Sequence, residues 1–332
     1  MKKRLVFRII GNKQVGMGHI YRALTLAREF SEHEVLFVTD LANQIVVESL
    51  LKEDYWVGVY AVSDVTKQIR SLKPDAVIYD ALDTSRRDVE EVRRSGAVVI
   101  SFEDLGDGAH HTNLTVNELF DKPQFEGDHI LWGHDYFFLR DEFETVQTHR
   151  FEESVDGIML AFGGTDQHNL SRIVFRAIKQ FCKKHRISIH IVTGPGYRGY
   201  DSLESEAAKE EGVYLTHASG VISSIMEQVQ LAITSNGRTV YEFAHMNIPS
   251  IVIAQHDREI THAFADETNG FIQLGLYQPG KTSALVLSAL ERMVQDTEFR
   301  RLMYRRISAF NFNGNKRKIV KILLQLIEGT RD

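Results

Sequence analysis

Residues 4–28 read RLVFRIIGNKQVGMGHIYRALTLAR, and this stretch decides the fold of the first half of the chain. The apolar run at its start predicts a buried strand, and Gly11, Gly16 and Gly18 predict a loop. Apolar residues at helical spacing then predict a helix that begins near His19. A strand followed by a glycine loop and a helix start is a common way for α/β proteins to present backbone N–H groups to an anion.

The rest of the chain repeats this alternation of apolar runs and amphipathic stretches. EVLFVTD (34–40) and DAVIYD (75–80) predict strands, and DGIMLAF (156–162) followed by GGTD starts a second strand-loop-helix unit. Such alternation is typical of βαβ units on a parallel sheet. We therefore predict the α/β class with two Rossmann-like domains, residues 1–148 and 149–332, that face a central cleft, with residues 144–154 as a linker.

Composition limits the classes of partner. The 332 residues carry a formal net charge of −6, which gives no electrostatic reason to expect nucleic acid or an anionic membrane. Without a long apolar segment, we expect neither a signal peptide nor stable membrane insertion, and a cytoplasmic protein. The terminal stretch KRKIVKILLQLIE predicts an apolar helix, and we favour packing over a membrane-surface role for it.

His19 has two interpretations. At a helix start, the positive end of the helix dipole disfavours imidazolium, so the ring would be neutral at pH 7 and could accept a proton as a general base. The alternative is a histidine that only hydrogen-bonds its own loop. A dinucleotide site is a further alternative, with Gly16, Gly18 and the acid Asp40, but Tyr21 occupies the place of the third glycine.

The second half contains two turns suited to a nucleotide. The GGTD turn follows a strand and precedes a helix, so its N–H groups can surround phosphate oxygens. A second turn opens another helix, where hydroxyls and amides can bind a diphosphate and a carboxylate one turn later can accept the hydroxyls of a ribose. The alternative is ordinary helix capping with a solvated glutamate. The residues of this predicted nucleotide site are Gly163, Gly164, Thr165, Ser235, Asn236, Gly237, Thr239 and Glu242.

No metal or cofactor is expected. His110 and His111 are adjacent in sequence and do not share one helix face, so we interpret them as loop residues and not as metal ligands.

Five segments in order carry a family resemblance. VGMGHIYRALTLA, AFGGTDQHNLS and SNGRTVYE with IPSIVI resemble the PseG/SpsG family of UDP-sugar hydrolases in pseudaminic acid biosynthesis, within the MurG-related GT-B superfamily. SFEDLGDGAHHTNLTVN and WGHDYFFLRDEF resemble further segments of that family in the same order.

The resemblance implies a GT-B fold, with UDP bound mainly by the second domain and the sugar facing the first. It gives His19 the place of the catalytic base, the turn at Gly163 that of the diphosphate loop, and Glu242 that of the ribose acid. It implies metal-independent removal of UDP from a 2,4-diacetamido-2,4,6-trideoxy sugar, by water attack at the anomeric carbon with inversion. We assign to the sugar side Gly16, Gly18, Arg22, Asp80, Asp257 and Arg258.

Two positions depart from the family pattern. Asp257 and Arg258 stand where the family tends to have an Asn-Gln pair, and Ala81 and Leu82 follow the strand where it tends to have His-Tyr. Two alternatives therefore stay open: a glycosyltransferase that uses a UDP-sugar donor, and a non-catalytic UDP-sugar-binding protein. Against the transferase, we predict no exposed apolar or basic patch in the first half for a lipid carrier.

Overall fold

The computed structural model describes residues 2–12 and 16–329. It divides into two compact units: residues 1–140 together with 313–332, and residues 141–312. Residues 13–15 of the predicted glycine loop lie outside the described residues.

Within the described residues, the first unit has a parallel sheet of seven strands. Its elements up to the last of these strands are β1 (Arg4–Ile9), α1 (Gly18–Glu29), β2 (Glu34–Asp40), α2 (Gln44–Leu51), β3 (Trp56–Tyr60), α3 (Val65–Ser71), β4 (Ala76–Asp80), α4 (Arg86–Arg93), β5 (Val98–Phe102), β6 (Leu114–Asn117) and β7 (Ile130–Trp132). The strand order is β3-β2-β1-β4-β5-β6-β7. The chain therefore leaves β1 and β4 in opposite directions, which opens a crevice at their C-terminal ends, where open α/β sheets bind ligands.

β1 lies inside this sheet and is covered on both faces. Leu5 and Phe7 belong to the core that includes α1 and α2, whereas Val6 belongs to the core that includes α3 and α4. A parallel strand covered on both faces is apolar at nearly every position, and this is why its sequence is a continuous apolar run. The strand predicted from this run is confirmed.

Gly11 lets α1 pack closely against the end of β1. A Cβ at Gly11 would lie 2.1 Å from Cδ1 and 2.6 Å from Cγ1 of Ile20, so the Ile20 side chain would have to leave its place against the loop. The glycine therefore serves helix packing. Because His19 precedes Ile20, this packing also places the histidine at the end of the strand.

The second unit repeats the architecture with six parallel strands in the part of the chain that is described. Its elements are β8 (Gly157–Ala161), α5 (Leu170–His185), β9 (Ser188–Thr193), α6 (Tyr200–Ala207), β10 (Val213–His217), α7 (Ser223–Met226), β11 (Leu231–Ser235), α8 (Thr239–His245), β12 (Ser250–Ala254), α9 (Asp257–Ile260), β13 (Phe271–Leu276), α10 (Thr282–Gln295) and α11 (Thr297–Ile307). The order is β10-β9-β8-β11-β12-β13, so the corresponding crevice lies between β8 and β11. The predicted fold class is confirmed by the two sheets.

The last helix, α12 (Asn315–Glu328), corrects the predicted domain of residues 149–332. Its Leu323 and Ile327 are buried in the core of the first unit, and Nδ2 of Asn315 donates to the carbonyl of Phe137 at 2.8 Å. Apolar periodicity predicted that this helix packs, and burial confirms it, but periodicity does not say which core it joins. Across residues 2–12 and 16–329, no helix is both long enough and apolar enough for a membrane crossing.

The predicted linker, residues 144–154, is packed against the second unit. The N–H of His149 donates to the carbonyl of Met246 at 3.0 Å, and Oη of Tyr304 donates to the carbonyl of His149 at 3.0 Å. The boundary between the units lies earlier, between residues 140 and 141. The polar composition of residues 144–154 suggested a linker, whereas hydrogen bonds to its backbone hold this segment against the second unit.

Replacing Leu323 by Ala tests the position of α12. Leu323 is fully buried in the core of the first unit, so the variant should lose roughly 2–5 kcal/mol of unfolding free energy in urea denaturation. The control Gln325→Ala changes an exposed side chain of the same helix and should stay within about 0.5 kcal/mol of the parent. Equal stability of the two variants would contradict this packing.

Candidate functional site

The first candidate site lies at the crevice between β1 and β4. His19 is the second residue of α1, which follows β1, and Asp80 is the last residue of β4. Nδ1 of His19 and Oδ1 of Asp80 are 2.6 Å apart, and both side chains are buried. The two residues are distant in sequence and meet because their strands are neighbours at the switch point.

The charge of Asp80 decides the tautomer of His19. Burial alone would raise the pKa of the Asp80 carboxyl, but the Arg22 guanidinium and the His19 hydrogen bond outweigh burial and hold that pKa below its usual range. An ionised carboxylate can only accept, so Nδ1 must carry the proton and donate it. Nε2 then keeps its lone pair, and it makes no hydrogen bond to any other residue in the described part of the chain.

Arg22 binds both oxygens of Asp80. Its Nε donates to Oδ2 at 2.7 Å and Nη2 donates to Oδ1, which is the oxygen that also accepts from His19. The guanidinium is fully buried. Arg22 and Asp80 were predicted to contact the sugar, but the structure places them in contact with each other and with His19.

Two acids that the sequence analysis did not assign complete this cluster. Nη1 of Arg22 donates to Oε1 of Glu118 and, at 3.3 Å, to Oε2 of Glu103. Glu103 follows β5 and Glu118 follows β6, and both are buried. An acid directly after a strand was the available signal, because the C-terminal ends of parallel strands share one edge of a sheet. We name these five residues the charged cluster: His19, Arg22, Asp80, Glu103 and Glu118.

The charged cluster also changes the electrostatics expected at His19. The ring stands at a helix start, as predicted, but a carboxylate lies at hydrogen-bond distance as well. Such a carboxylate orients the imidazole and stabilises the imidazolium that forms when Nε2 takes a proton. The geometry therefore suits a general base better than the helix start alone.

Asp40 is not available to a ribose. Its Oδ2 accepts from Nη2 of Arg8 at 2.6 Å, and its Oδ1 accepts from Nδ2 of Asn43 at 2.7 Å. Oδ1 of Asn43 in turn accepts from the N–H of Gly11 at 3.0 Å, so the chain uses Asp40 to hold the loop after β1. These contacts weigh against the dinucleotide alternative.

The second candidate site lies at the crevice between β8 and β11. The N–H groups of Gly163, Gly164 and Thr165 make no hydrogen bond to another residue within the described ranges. Three successive donors on one loop after a strand can surround an anion. A neighbouring glycine pair supports the loop: a Cβ at Gly194 would lie 2.4 Å from Cα of Gly164, and the N–H of Gly196 donates to the carbonyl of Gly164 at 2.9 Å.

The start of α5 is already capped by the chain itself. Oδ1 of Asp166 accepts from the N–H of Leu170 at 2.6 Å, and Oδ2 accepts from the N–H of Ser171 at 2.8 Å. Burial raises the pKa of Asp166, against the lowering by these N–H groups. The predicted anion loop is therefore limited to residues 163–165, because Asp166 occupies the helix start behind it.

The turn after β11 divides its predicted residues between two roles. A Cβ on Gly163 would lie 3.9 Å from Oγ of Ser235, so this hydroxyl lies beside the loop after β8. The side chain of Asn236 instead holds the backbone: its Nδ2 donates to the carbonyls of Glu259 at 2.6 Å and His262 at 2.9 Å. Gly237 and Thr239 are half-buried on the same turn.

Glu259 is a further residue that the sequence analysis missed. Its Oε2 accepts from the N–H of Gln255 at 2.7 Å and from that of Asn236 at 3.3 Å, so it joins the ends of β12 and β11. Asp257 and Arg258, which precede it and were predicted to contact the sugar, are less buried: Asp257 is exposed and Arg258 is half-buried. Of the two acids in this segment, residues 255–259, Glu259 is therefore the buried one.

Glu242 lies in the first turns of α8 with only 5% of its surface exposed. A solvated helix glutamate would be largely exposed, so the structure excludes that alternative. A buried carboxylate is tolerated only with polar interactions, and Glu242 makes such interactions within the chain.

Comparison with known proteins gives three relatives, although no family model matches. The chain is 27% identical over 268 residues to the uncharacterized protein MJ1062 of Methanocaldococcus jannaschii, covering 74% of this chain and 54% of that protein. It therefore spans about half the length of MJ1062. It is 22% identical over 281 residues to the spore coat polysaccharide biosynthesis protein SpsG of Bacillus subtilis, covering 80% of this chain and 82% of SpsG. It is 26% identical over 176 residues to the UDP-2,4-diacetamido-2,4,6-trideoxy-beta-L-altropyranose hydrolase of Campylobacter jejuni, covering 51% and 63%.

Solved structures share the fold. MurG of Acinetobacter baumannii superimposes with a TM-score of 0.69 at 13% identity over 97% of this chain and 99% of MurG. The UDP-GlcNAc 2-epimerase of Neisseria meningitidis bound to UDP-GlcNAc gives 0.62 at 12% identity over 98% and 100%. The predicted GT-B fold and the resemblance to the PseG/SpsG group are confirmed.

Replacing Asp80 by Asn tests the charge of the cluster through pH. Because the folded-state pKa of Asp80 lies below its unfolded value, its stabilising effect is complete above about pH 4 and is lost as pH falls through the folded pKa. The variant should lose roughly 3–5 kcal/mol of unfolding free energy at pH 7. The difference from the parent should shrink below pH 4 in urea denaturation. A difference that stays constant from pH 7 to pH 3 would contradict an ionised Asp80.

Proposed function

We propose that this chain is a UDP-sugar-utilising enzyme of sugar biosynthesis that hydrolyses a UDP-linked 2,4-diacetamido-2,4,6-trideoxy sugar. The observation that carries the proposal is the 2.6 Å contact of His19 with an ionised Asp80, because it leaves Nε2 as a proton acceptor. The similarity to SpsG and to the Campylobacter hydrolase supports the substrate class. Free sugar and UDP are the products.

In the proposed reaction His19 acts as the general base. Nε2 takes a proton from water, the water oxygen attacks the anomeric carbon, and the bond from that carbon to the diphosphate oxygen breaks with inversion. The electron pair of this bond leaves with UDP. Asp80 stabilises the imidazolium, and proton transfer of this kind contributes about 10²–10⁴-fold to the rate.

The second unit supplies the proposed nucleotide contacts. The N–H groups of Gly163, Gly164 and Thr165 would bind the diphosphate and stabilise the charge that develops on it. Ser235 adds a hydroxyl beside this loop, and Glu242 would accept the ribose hydroxyls. In this proposal the main-chain N–H groups of residues 163–165 stabilise the departing UDP.

One observation favours a glycosyltransferase as the second candidate. Leu41 is 63% exposed, Ile45 85% and Val62 71%, and the N–H of Leu41 donates to the carbonyl of Tyr60 at 3.1 Å, which joins their two segments. The first half thus has exposed apolar side chains near this sheet edge, and the absence of a patch that docks a lipid carrier stays a prediction. These residues follow the C-terminal ends of β2 and β3, on the sheet edge that carries His19, and an acceptor with an apolar part could contact them.

Isotope labelling separates the candidates. The protein is incubated with UDP-2,4-diacetamido-2,4,6-trideoxy sugars in ¹⁸O-labelled water, and mass spectrometry locates the label. Label on the sugar supports hydrolysis at the anomeric carbon, whereas label on UDP means attack at phosphorus and contradicts the mechanism. Turnover that requires an added acceptor supports the transferase, and UDP binding without any turnover supports a binding protein.

His19→Asn should lower kcat by about 10²–10⁴-fold, because it removes the acceptor Nε2. UDP affinity in calorimetry should change by less than about twofold, since the proposed nucleotide contacts belong to the second unit. A rate equal to that of the parent enzyme would remove His19 from the mechanism.

Gly194→Ala should weaken UDP binding by about tenfold or more, equivalent to about 1.4 kcal/mol. The added methyl would meet the backbone of Gly164 at 2.4 Å and must displace the loop whose N–H groups face the diphosphate. Gly220→Ala is the matched control, because a Cβ there meets nothing within 4 Å. Equal affinities in calorimetry would contradict this role of residues 163–165.

A further inference from the structure

We propose that Glu118, acting through Arg22, is a positioning residue that fixes Asp80 on Nδ1 of His19 and so keeps Nε2 as the proton acceptor. Its catalytic consequence rests on the proposed function, but its effect on the imidazole does not. The link from Glu118 to the His19 ring that the hydrogen bonds show passes through the side chains of Arg22 and Asp80.

The first step is the bidentate ion pair between Arg22 and Asp80. The guanidinium is a rigid planar fork, and its Nε and Nη2 take one carboxylate oxygen each. This fixes the plane of the carboxylate. Oδ1 accepts from both Arg22 and His19. The position of Oδ1 relative to Nδ1 of His19 therefore depends on the position of Arg22.

The second step is the position of Arg22 itself. Its Nη2 also lies 3.2 Å from Nδ1 of His19. Both nitrogens carry protons in the proposed tautomer, so this contact is not a hydrogen bond and does not fix Arg22. The hydrogen bonds of Nη1, on the opposite side of the guanidinium from His19, contribute to its position. Nη1 is held there by Glu118, with Glu103 at 3.3 Å, and the ring of Phe102 lies 5.2 Å from the guanidinium carbon.

The third step concerns charge and burial. Glu118 is fully buried, as is Arg22, and a buried carboxylate is tolerated only with a compensating partner. With formal charges, Asp80, Glu103 and Glu118 against Arg22 give a net −2 around a neutral imidazole. A surplus of negative charge favours proton uptake at Nε2, so Glu118 acts on His19 by charge as well as by position.

The test measures the imidazole directly. The protein is labelled with ¹⁵N-histidine, and the His19 resonances are assigned by their loss in His19→Asn. In the parent protein, Nδ1 should have the chemical shift of a protonated nitrogen and Nε2 that of an unprotonated one at high pH. Glu118→Gln keeps an acceptor for Arg22 and removes the charge; it should increase the fraction of neutral rings that carry the proton on Nε2.

Further variants separate a positioning role from a structural one. Glu103→Gln should give the same changes to a smaller extent, because its oxygen lies 3.3 Å from Nη1. Glu53→Gln, an exposed glutamate of the same unit, should leave the ring signals and the rate unchanged. In turnover assays Glu118→Gln should lower kcat by about tenfold with KM within about twofold.

The outcomes distinguish the two proposals. Unchanged ring signals in folded Glu118→Gln, whatever its thermal stability, would overturn the positioning role. If Glu118→Gln does not fold, unchanged signals in Glu103→Gln would overturn it instead. Shifted ring signals in a protein that turns over no UDP-sugar would support the positioning role and reject the proposed function.

Discussion

The ion pair between Asp80 and Arg22 is the interaction on which the first candidate site depends. Both groups are fully buried, and either one alone would be an uncompensated charge in the protein interior. The pair can exist only where β4 ends beside α1, so the order of strands in the sheet is a condition for it. The tautomer of His19 then follows from the charge of Asp80, which links sheet topology to the protonation of one ring nitrogen.

Each unit has a crevice at the switch point of its own sheet, and the two crevices contain different groups. In the first unit side chains fill the end of the sheet, and Arg22 compensates part of the negative charge of Asp80, Glu103 and Glu118. In the second unit the loop after β8 has three N–H groups that make no hydrogen bond within residues 2–12 and 16–329. Asp166 caps α5 behind this loop, and the glycines at 194 and 196 pack against it. A preorganised set of backbone donors suits an anion, and an oriented imidazole suits proton transfer. The architecture is thus shared, and the chemistry lies in what each crevice contains.

Local sequence patterns predicted the parts of this structure that depend on short-range physics. Continuous apolar runs predicted parallel strands covered on both faces, and glycine loops after strands predicted where the crevices lie. Contacts between distant segments were not predictable in this way. Glu118 reaches Arg22 across 96 positions, and α12 joins a core whose other members precede it by more than 170 residues. Periodicity states that a face is apolar, but it does not identify the partner.

The composition of the charged cluster is itself an argument about function. Replacing a buried ion cluster by well-packed apolar residues is often neutral or stabilising, so stability alone gives little reason to place three acids and an arginine beside one histidine. A neutral side chain such as Asn could also accept a hydrogen bond from Nδ1, without the cost of burying a charge. What it could not do is stabilise the imidazolium after proton uptake, which requires a nearby negative charge. The acids in this crevice therefore support the proposed role of His19 as a general base.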